Sequence, residues 1–282
     1  MSISPPERPP TARDLLAFYL EAGVDCALSD EAIDRLSEVH EPAPERKAEA
    51  AVRTLPPRAM TPAAPPPRVE AAPPPDIAAA TARDAADTAN TLDKLRSLLD
   101  AFDGCALKAT ATRLVFSDGN PEAKIMFVGE APGRDEDIEG KPFVGRSGKL
   151  LDLMMAAIGL DRTKVYIANV IPWRPPGNRT PTPQETQICL PFIRKQIELV
   201  DPDVLVCLGN PSSQTLLNTR EGIMKTRGRW VPFDTGTRII RAIPTFHPAY
   251  LLRSPIYKRL AWQDLRAIKT ALHETASVQS QA

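Results

Sequence analysis

The sequence has no CxxC pair, no excess of either charge, and no apolar run near the ~18 to 20 residues of a membrane span. Each absence removes a class of protein. Cys26, Cys105, Cys189 and Cys207 stand far apart, so neither a zinc ribbon nor a thioredoxin-like dithiol is indicated. The N-terminal text MSISPPERPPTARDLL lacks the basic-then-apolar layout of a signal peptide. A cytoplasmic protein without membrane contact is expected, and disulfides are not. Lys+Arg and Asp+Glu balance at 35 each, so net charge names no partner. A Walker loop is missing too: Gly133 and Gly140 enclose six residues where four are needed, and Pro142 follows Lys141. A dinucleotide fingerprint fails on spacing.

Proline, by contrast, is abundant at 30 residues, and it is unevenly spread. Residues 1–40 hold two short helical patterns, TARDLLAFYLEAGVD and SDEAIDRLSEV. From Glu41 the text turns Ala/Pro-rich, as in PPRAMTPAAPPPRVEAAPPP. Such a stretch buries too little apolar surface to offset chain entropy, so 41–80 is expected to be a disordered tether. A globular domain is expected over 81–275, with a disordered tail over 276–282. That domain opens with AADTANTLDKLRSLLDAF, read as one helix.

Four strand-like runs follow: AKIMFVG (123–129), VYIANVI (165–171), DVLVCLG (203–209) and RIIRAIPTF (238–246). Helical stretches near 147–158, 183–199, 211–218 and 256–273 separate them. Strands alternating with helices imply an α/β fold with a parallel sheet covered on both faces. Ligands in such sheets bind beyond the carboxyl ends of the strands. There the first strand runs into VGEAPGRDEDIEGKPFVGRSG, which has five glycines and the acids Glu130, Asp135, Glu136, Asp137 and Glu139. Asn169 and His247 fall at the ends of the second and fourth strands. An Asn amide offers an acceptor and donors side by side, suited to the edge of a heterocycle. A His can donate to a developing anion, and a carboxylate can polarise water. In HPAYLLR, Leu251, Leu252 and Arg253 fit either a partly exposed wedge for stacked bases or packing against the last helix. The basic run from Arg220 to Lys269 fits phosphate contact or an ordinary solvated surface.

GEAPGRDED…GKPFVGRSGKLLD, RPPGNRTPTPQE and HPAYLLR together resemble the signatures of family 4 uracil-DNA glycosylases, in order from about Phe102 to Ala271. The resemblance implies a three-layer α/β/α sandwich around a four-stranded parallel sheet of order 2-1-3-4. It implies hydrolysis of the N-glycosidic bond of deoxyuridine in DNA, single- or double-stranded, after the nucleotide is flipped out. Carried over by motif, Glu130, Glu136 and His247 are catalytic. Gly129, Phe143 and Asn169 bind the base. Leu251, Leu252, Arg253, Arg174, Asn178 and Arg179 meet DNA. Which of Glu130 and Glu136 activates water stays open at this point, because Ala131 and Gly133 stand where family 1 enzymes carry an Asp and an aromatic. No Lys stands out as an amine nucleophile, so a monofunctional enzyme is expected; a monomer is expected as well, with a protein partner for the N-terminal segment left open. The alternative is a damage sensor that captures uracil without turnover.

One departure is sharp. The resemblance implies a [4Fe–4S] cluster held by four cysteines, and those positions are Phe102, Cys105, Trp173 and Cys189. Phe and Trp cannot ligate iron. The expectation is no cluster and no cofactor, with Phe102 and Trp173 packed in its place.

Overall fold

A computed structural model describes the chain from Pro74 to Gln279, with side chains as far as Glu274. The two short helices expected within residues 1–40 lie outside the described residues, as do most of the tether and the last residues of the tail.

Six strands form one sheet: β1 (Asp118–Gly119), β2 (Ile125–Gly129), β3 (Tyr166–Asn169), β4 (Val204–Leu208), β5 (Val231–Asp234) and β6 (Ile239–Thr245). Their order is β1-β3-β2-β4-β6-β5. The inner four are parallel and run β3-β2-β4-β6, the expected second-first-third-fourth arrangement. The sequence reading missed both edges, which are antiparallel. β1 is two residues long, and β5 is VPFD, mostly exposed with a proline inside. Neither carries a run of apolar residues. A proline in a strand suits the edge, where its missing N–H breaks no ladder.

Every residue of β2, β3 and β4 is buried. Because side chains alternate across a strand, each supplies two cores. Met126, Val128, Tyr166, Ala168, Leu205 and Cys207 join one cluster. Ile125, Phe127, Ile167, Val204, Val206 and Leu208 join the other. Helices α1 (Pro75–Asp87) and α2 (Leu92–Ala101) contribute to the first cluster. Next come α3 (Arg134–Glu139) and α4 (Arg146–Ala156), α4 lying in the second cluster, and α5 (Pro183–Val200), which returns to the first. The chain continues through α6 (Asn210–Leu217), α7 (Ile223–Thr226), α8 (Pro248–Arg253) and α9 (Lys258–Gln279). Alternating burial into two helix-covered cores makes the fold an α/β/α sandwich. Among the described residues no helix is long and apolar enough to cross a membrane.

Two expectations at the domain's start need correction. The single helix over AADTANTLDKLRSLLDAF is two helices, because Thr91 caps a new one by accepting from Lys94 N at 3.2 Å. A Thr at this position competes with the helix interior for backbone donors. The expected boundary at residue 81 also falls inside a helix, since α1 begins at Pro75. Proline at the first helical position loses no intrahelical bond. The alanines that follow are strong helix formers, and Ala78, Ala82 and Ala86 line one buried face, at a spacing of four. The composition that suggested a tether is also that of a helix whose small side chains allow close packing.

Candidate active site

The parallel strands deliver their carboxyl ends to one edge of the sheet. Gly129 of β2 pairs with Asn169 of β3 in register. Gly209, just after β4, donates to Thr245 O at 2.8 Å, and a side chain on Gly209 would press within 2.9 Å of His247 Cβ. Glu130, Asn169, His247 and Phe143 thereby line one cavity of about 320 Å³.

Gly129 is required for space. A Cβ there would lie 2.4 Å from Asn169 Oδ1 and 2.7 Å from the Phe143 ring. The bare backbone lets the amide and the aromatic ring converge. Phe143 is only 4% exposed and adopts φ +55°, a left-handed conformation that bulky residues seldom take. Its ring lies 5.4 Å from the His247 ring, tilted by 30°.

Two buried oxygens at this cavity have no partner: Glu130 Oε1 and Asn169 Oδ1. Unpaired polar atoms in a folded interior are rare and costly, which marks both oxygens as candidates for contact with a substrate. Burial also raises the Glu130 carboxyl above its ordinary range.

Glu136 is placed quite differently. Its Oε2 accepts from Gly133 N at 3.0 Å, and its Oε1 accepts from Val144 N at 3.2 Å and Gly145 N at 3.0 Å. That carboxylate ties the first loop to the Phe143 loop. Asp137 does similar work, accepting from Thr112 N at 2.7 Å, Thr112 Oγ1 at 2.9 Å and Arg113 N at 3.2 Å. Two acids of the loop are therefore braces, Asp135 and Glu139 are exposed, and Glu130 is the loop's carboxylate with a buried, unpaired oxygen.

His247 caps α8, its Nδ1 accepting from Ala249 N at 3.1 Å. A ring nitrogen that accepts carries no proton, so the proton of the neutral ring sits on Nε2. Burial, with the Arg253 charge as a smaller influence, lowers this imidazole to about 4. At neutral pH it is an uncharged hydrogen-bond donor.

The expected DNA-facing residues divide. Asn178, Arg179 and Arg253 line the cavity, whereas Arg174 does not. Arg174 Nε donates to Asn178 Oδ1 at 2.7 Å, and Arg179 is committed to Glu185 through bonds of 2.9 and 2.6 Å. The expectation that Leu251 is partly exposed fails: it is 1% exposed and belongs to the core that includes Ala261 and Leu265 of α9. The short helix α8 turns it inward, so the packing reading holds for Leu251. Its neighbour Leu252 is 37% exposed and lines an open depression with Arg134, Arg146 and Arg253. That depression shares Glu136, Ser147, Asn178, Ala249 and Arg253 with the first cavity.

Residues 116–266 match the Uracil DNA glycosylase superfamily. The chain belongs to that superfamily. It is 42% identical over 168 residues to the type-4 uracil-DNA glycosylase of Archaeoglobus fulgidus, a match spanning 58% of this chain and 84% of that one. The type-4 uracil-DNA glycosylase of Thermotoga maritima is 42% identical over 169 residues, spanning 59% and 86%. That of Saccharolobus solfataricus is 39% identical over 188 residues, spanning 65% and 87%.

Within this glycosylase-superfamily fold, the four positions that the type-4 resemblance assigns to an iron–sulfur cluster come together in one core. Phe102, Cys105, Trp173 and Cys189 are all buried there. Cys189 Sγ lies 3.9 Å from Cys105 Sγ, and Phe102 packs edge-on against Phe192 at 5.2 Å. Two thiols and two aromatic rings are not a four-thiolate donor set. Cys207 lies within the buried strand β4, where burial pushes its thiol up to about 12. Cys26 lies outside the described residues. Among those residues no group of three or more His, Cys, Asp or Glu could hold a metal ion.

Sequence reasoning missed the residues behind the Phe143 loop, above all Arg162, Asp118 and Asp152. Arg162 sits in a turn with no motif around it, and its partners are 44 and 10 residues away. Only the fold brings them together.

Proposed function

We propose that this protein is a monofunctional uracil-DNA glycosylase that starts base excision repair. The observation that carries the reading is the pair of unpartnered buried oxygens, Glu130 Oε1 and Asn169 Oδ1, on residues that line one cavity with Phe143 and His247. The ring N–H of a planar base satisfies the Asn169 oxygen, its neighbouring carbonyl meets the amide NH₂, and a water satisfies the Glu130 oxygen. A duplex hides the glycosidic carbon, so the deoxyuridine must be flipped out, at a cost of a few kcal/mol.

In this reading Phe143 stacks on the extruded uracil. Asn169 Oδ1 accepts from N3–H while its amide NH₂ donates to O4. Cytosine presents the reverse pattern, which leaves buried groups unpaired and is rejected by about 10⁴-fold or more. The C1′–N1 bond breaks and its electron pair passes to the uracil ring. The Nε2–H of His247 stabilises that charge at O2. Glu130 takes a proton from the water whose oxygen bonds to C1′, and its negative charge faces the cationic sugar. Glu136 supports the loop rather than the chemistry. The chemistry needs no metal, and the two-thiol remnant supports a cofactor-free enzyme.

Arg253, with Arg134 and Arg146 beside it, receives the phosphates, while Asn178 and Arg179, held by Arg174 and Glu185, frame the cavity mouth. Leu252 is the residue placed to fill the gap in the stack. Leu252→Ala should slow release from duplex DNA several-fold more than from single strands. Leu251→Ala should instead cost roughly 2 to 5 kcal/mol of stability, read by urea unfolding, because it empties part of a packed core.

The deciding experiment uses an oligonucleotide with a single uracil, treated with alkali after incubation. Strand cleavage over many turnovers, from protein without stoichiometric iron, is the expected result. Capture of DNA at one-to-one stoichiometry without cleavage means a damage sensor and overturns the proposal. Stoichiometric iron in active protein overturns its cofactor-free part.

A further inference from the structure

The strained Phe143 has a dedicated support, and it is a single guanidinium. Arg162 lies in the turn between α4 and β3, and its five N–H donors meet five acceptors. Nε donates to Asp152 Oδ1 at 2.8 Å, and Nη2 reaches Asp152 Oδ2 at 3.5 Å. Nη1 donates to Asp118 Oδ2 at 2.6 Å and to Pro142 O at 3.3 Å. Nη2 also donates to Phe143 O through a short bond. Five donors in a fixed planar fork are all that an arginine has.

The acceptors fall into two sets. Asp118 of the edge strand β1 and Asp152 of α4 hold the guanidinium and balance its charge. The carbonyls of Pro142 and Phe143 are what it grips. Those two peptides carry the turn in which Phe143 takes φ +55°. Glycine 148 completes the arrangement from the other side, because a Cβ there would lie 1.7 Å from Phe143 O. The first turn of α4 thus presses on the same carbonyl that Arg162 binds. A left-handed aromatic residue persists only where its surroundings over-determine it.

We infer that Arg162 is a positioning residue for uracil recognition: braced by Asp118 and Asp152, it holds the Phe143 peptide in the left-handed conformation that turns the ring over the base site. This rests on the proposed stacking role of Phe143; Arg162 itself does not line the cavity, and through Asp118 the antiparallel edge strand β1 becomes part of the active site's support. It also predicts that lysine is a poor replacement, since an ammonium has three donors and no fork.

A double-mutant cycle tests it, because residues that act through one another give non-additive effects. Single-turnover uracil release is measured for wild type, Arg162→Met, Phe143→Ala and the double variant, at a temperature where circular dichroism shows each folded. Arg162→Met should slow release by about 10- to 100-fold, the scale of a misplacement near 1 Å. Its Kd for DNA without uracil should not change. In the Phe143→Ala background the same change should add less than about twofold. Arg162→Lys, which keeps the charge, should fall between Met and wild type, and it carries the same cycle if Arg162→Met does not fold. Full activity of Arg162→Met, or a loss that simply multiplies that of a slow Phe143→Ala, overturns this inference alone. Full activity of Phe143→Ala overturns the stacking reading and this inference with it.

Discussion

His247→Ala should release uracil about 10²- to 10³-fold more slowly than wild type under single-turnover conditions, with an unchanged Kd for DNA that lacks uracil. The loss is large because the donor is already in place. Ala249 N fixes Nδ1 as an acceptor, so the proton already sits on Nε2 and none has to move first. A donor held in position before the charge develops costs no reorganisation when the bond breaks. His247→Asn is the better-controlled companion, because an Asn side chain can still cap the helix and keep Ala249 N satisfied. It should fold like wild type and remain slow.

The same geometry fixes a pH signature. With its imidazole lowered to about 4, His247 is neutral across the range in which a free histidine titrates. Release should therefore show no ionisation near 6.5. The sign for stability follows from the unfolded chain, which binds the proton below about 6.5 while the folded chain does not. Stability tied to this residue is fully present above that pH and is lost as pH falls toward 4. His247→Asn should lack that part of the acid destabilisation. An inflection near 6.5 in wild-type release, absent in the variant, would mean that the working ring is the cation.

What the sequence made legible depended on how local the cause was. The four parallel strands were readable because burial on both faces forces continuous apolar text, and AKIMFVG or DVLVCLG admits few other readings. Their order was not in that text; it came through the resemblance. The edge strands were invisible because a two-residue pairing and a proline-containing VPFD are defined by their neighbours. Glu130, Asn169 and His247 were found by one rule, that chemistry gathers at the carboxyl ends of parallel strands. That rule says where a residue starts and nothing of where its side chain turns. Hence Leu251 and Leu252 looked alike in HPAYLLR, although one turn of helix sends the first into the core and leaves the second outside. Hence too Glu130 and Glu136 looked equally fit to activate water, although hydrogen bonds make Glu136 a brace and leave Glu130 with a buried unpaired oxygen. Arg162 had no local signal at all, because its acceptors come from three separate segments.

That division of the acids yields the sharpest contrast between two substitutions of the same kind. Glu130→Gln should slow release by about 10²- to 10⁴-fold, the range for loss of a general base, and should leave stability at pH 7 unchanged or higher. Glu136→Gln should do the reverse, costing about 2 to 4 kcal/mol of unfolding free energy, with the rate affected only through the loosened loop. The reasoning lies in their partners. Glu130 holds a buried, unpaired oxygen, and burial raises its carboxyl, so its charge at neutral pH is a burden on the fold. The folded state then binds the proton more tightly than the unfolded state. Wild type gains stability as pH falls through the raised value toward 4.5, and Glu130→Gln does not. Because only the carboxylate can take a proton from water, the acidic limb of kcat/KM should lie above 4.5 and vanish in this variant. Glu136 instead accepts three backbone N–H groups, from Gly133, Val144 and Gly145. An amide offers one oxygen where the carboxylate offers two, so at least one N–H loses its partner. Urea unfolding and single-turnover release, measured on both variants, separate the two roles. A fast Glu130→Gln beside a folded but inactive Glu136→Gln would transfer water activation to Glu136 and leave Glu130's unpaired oxygen without a purpose.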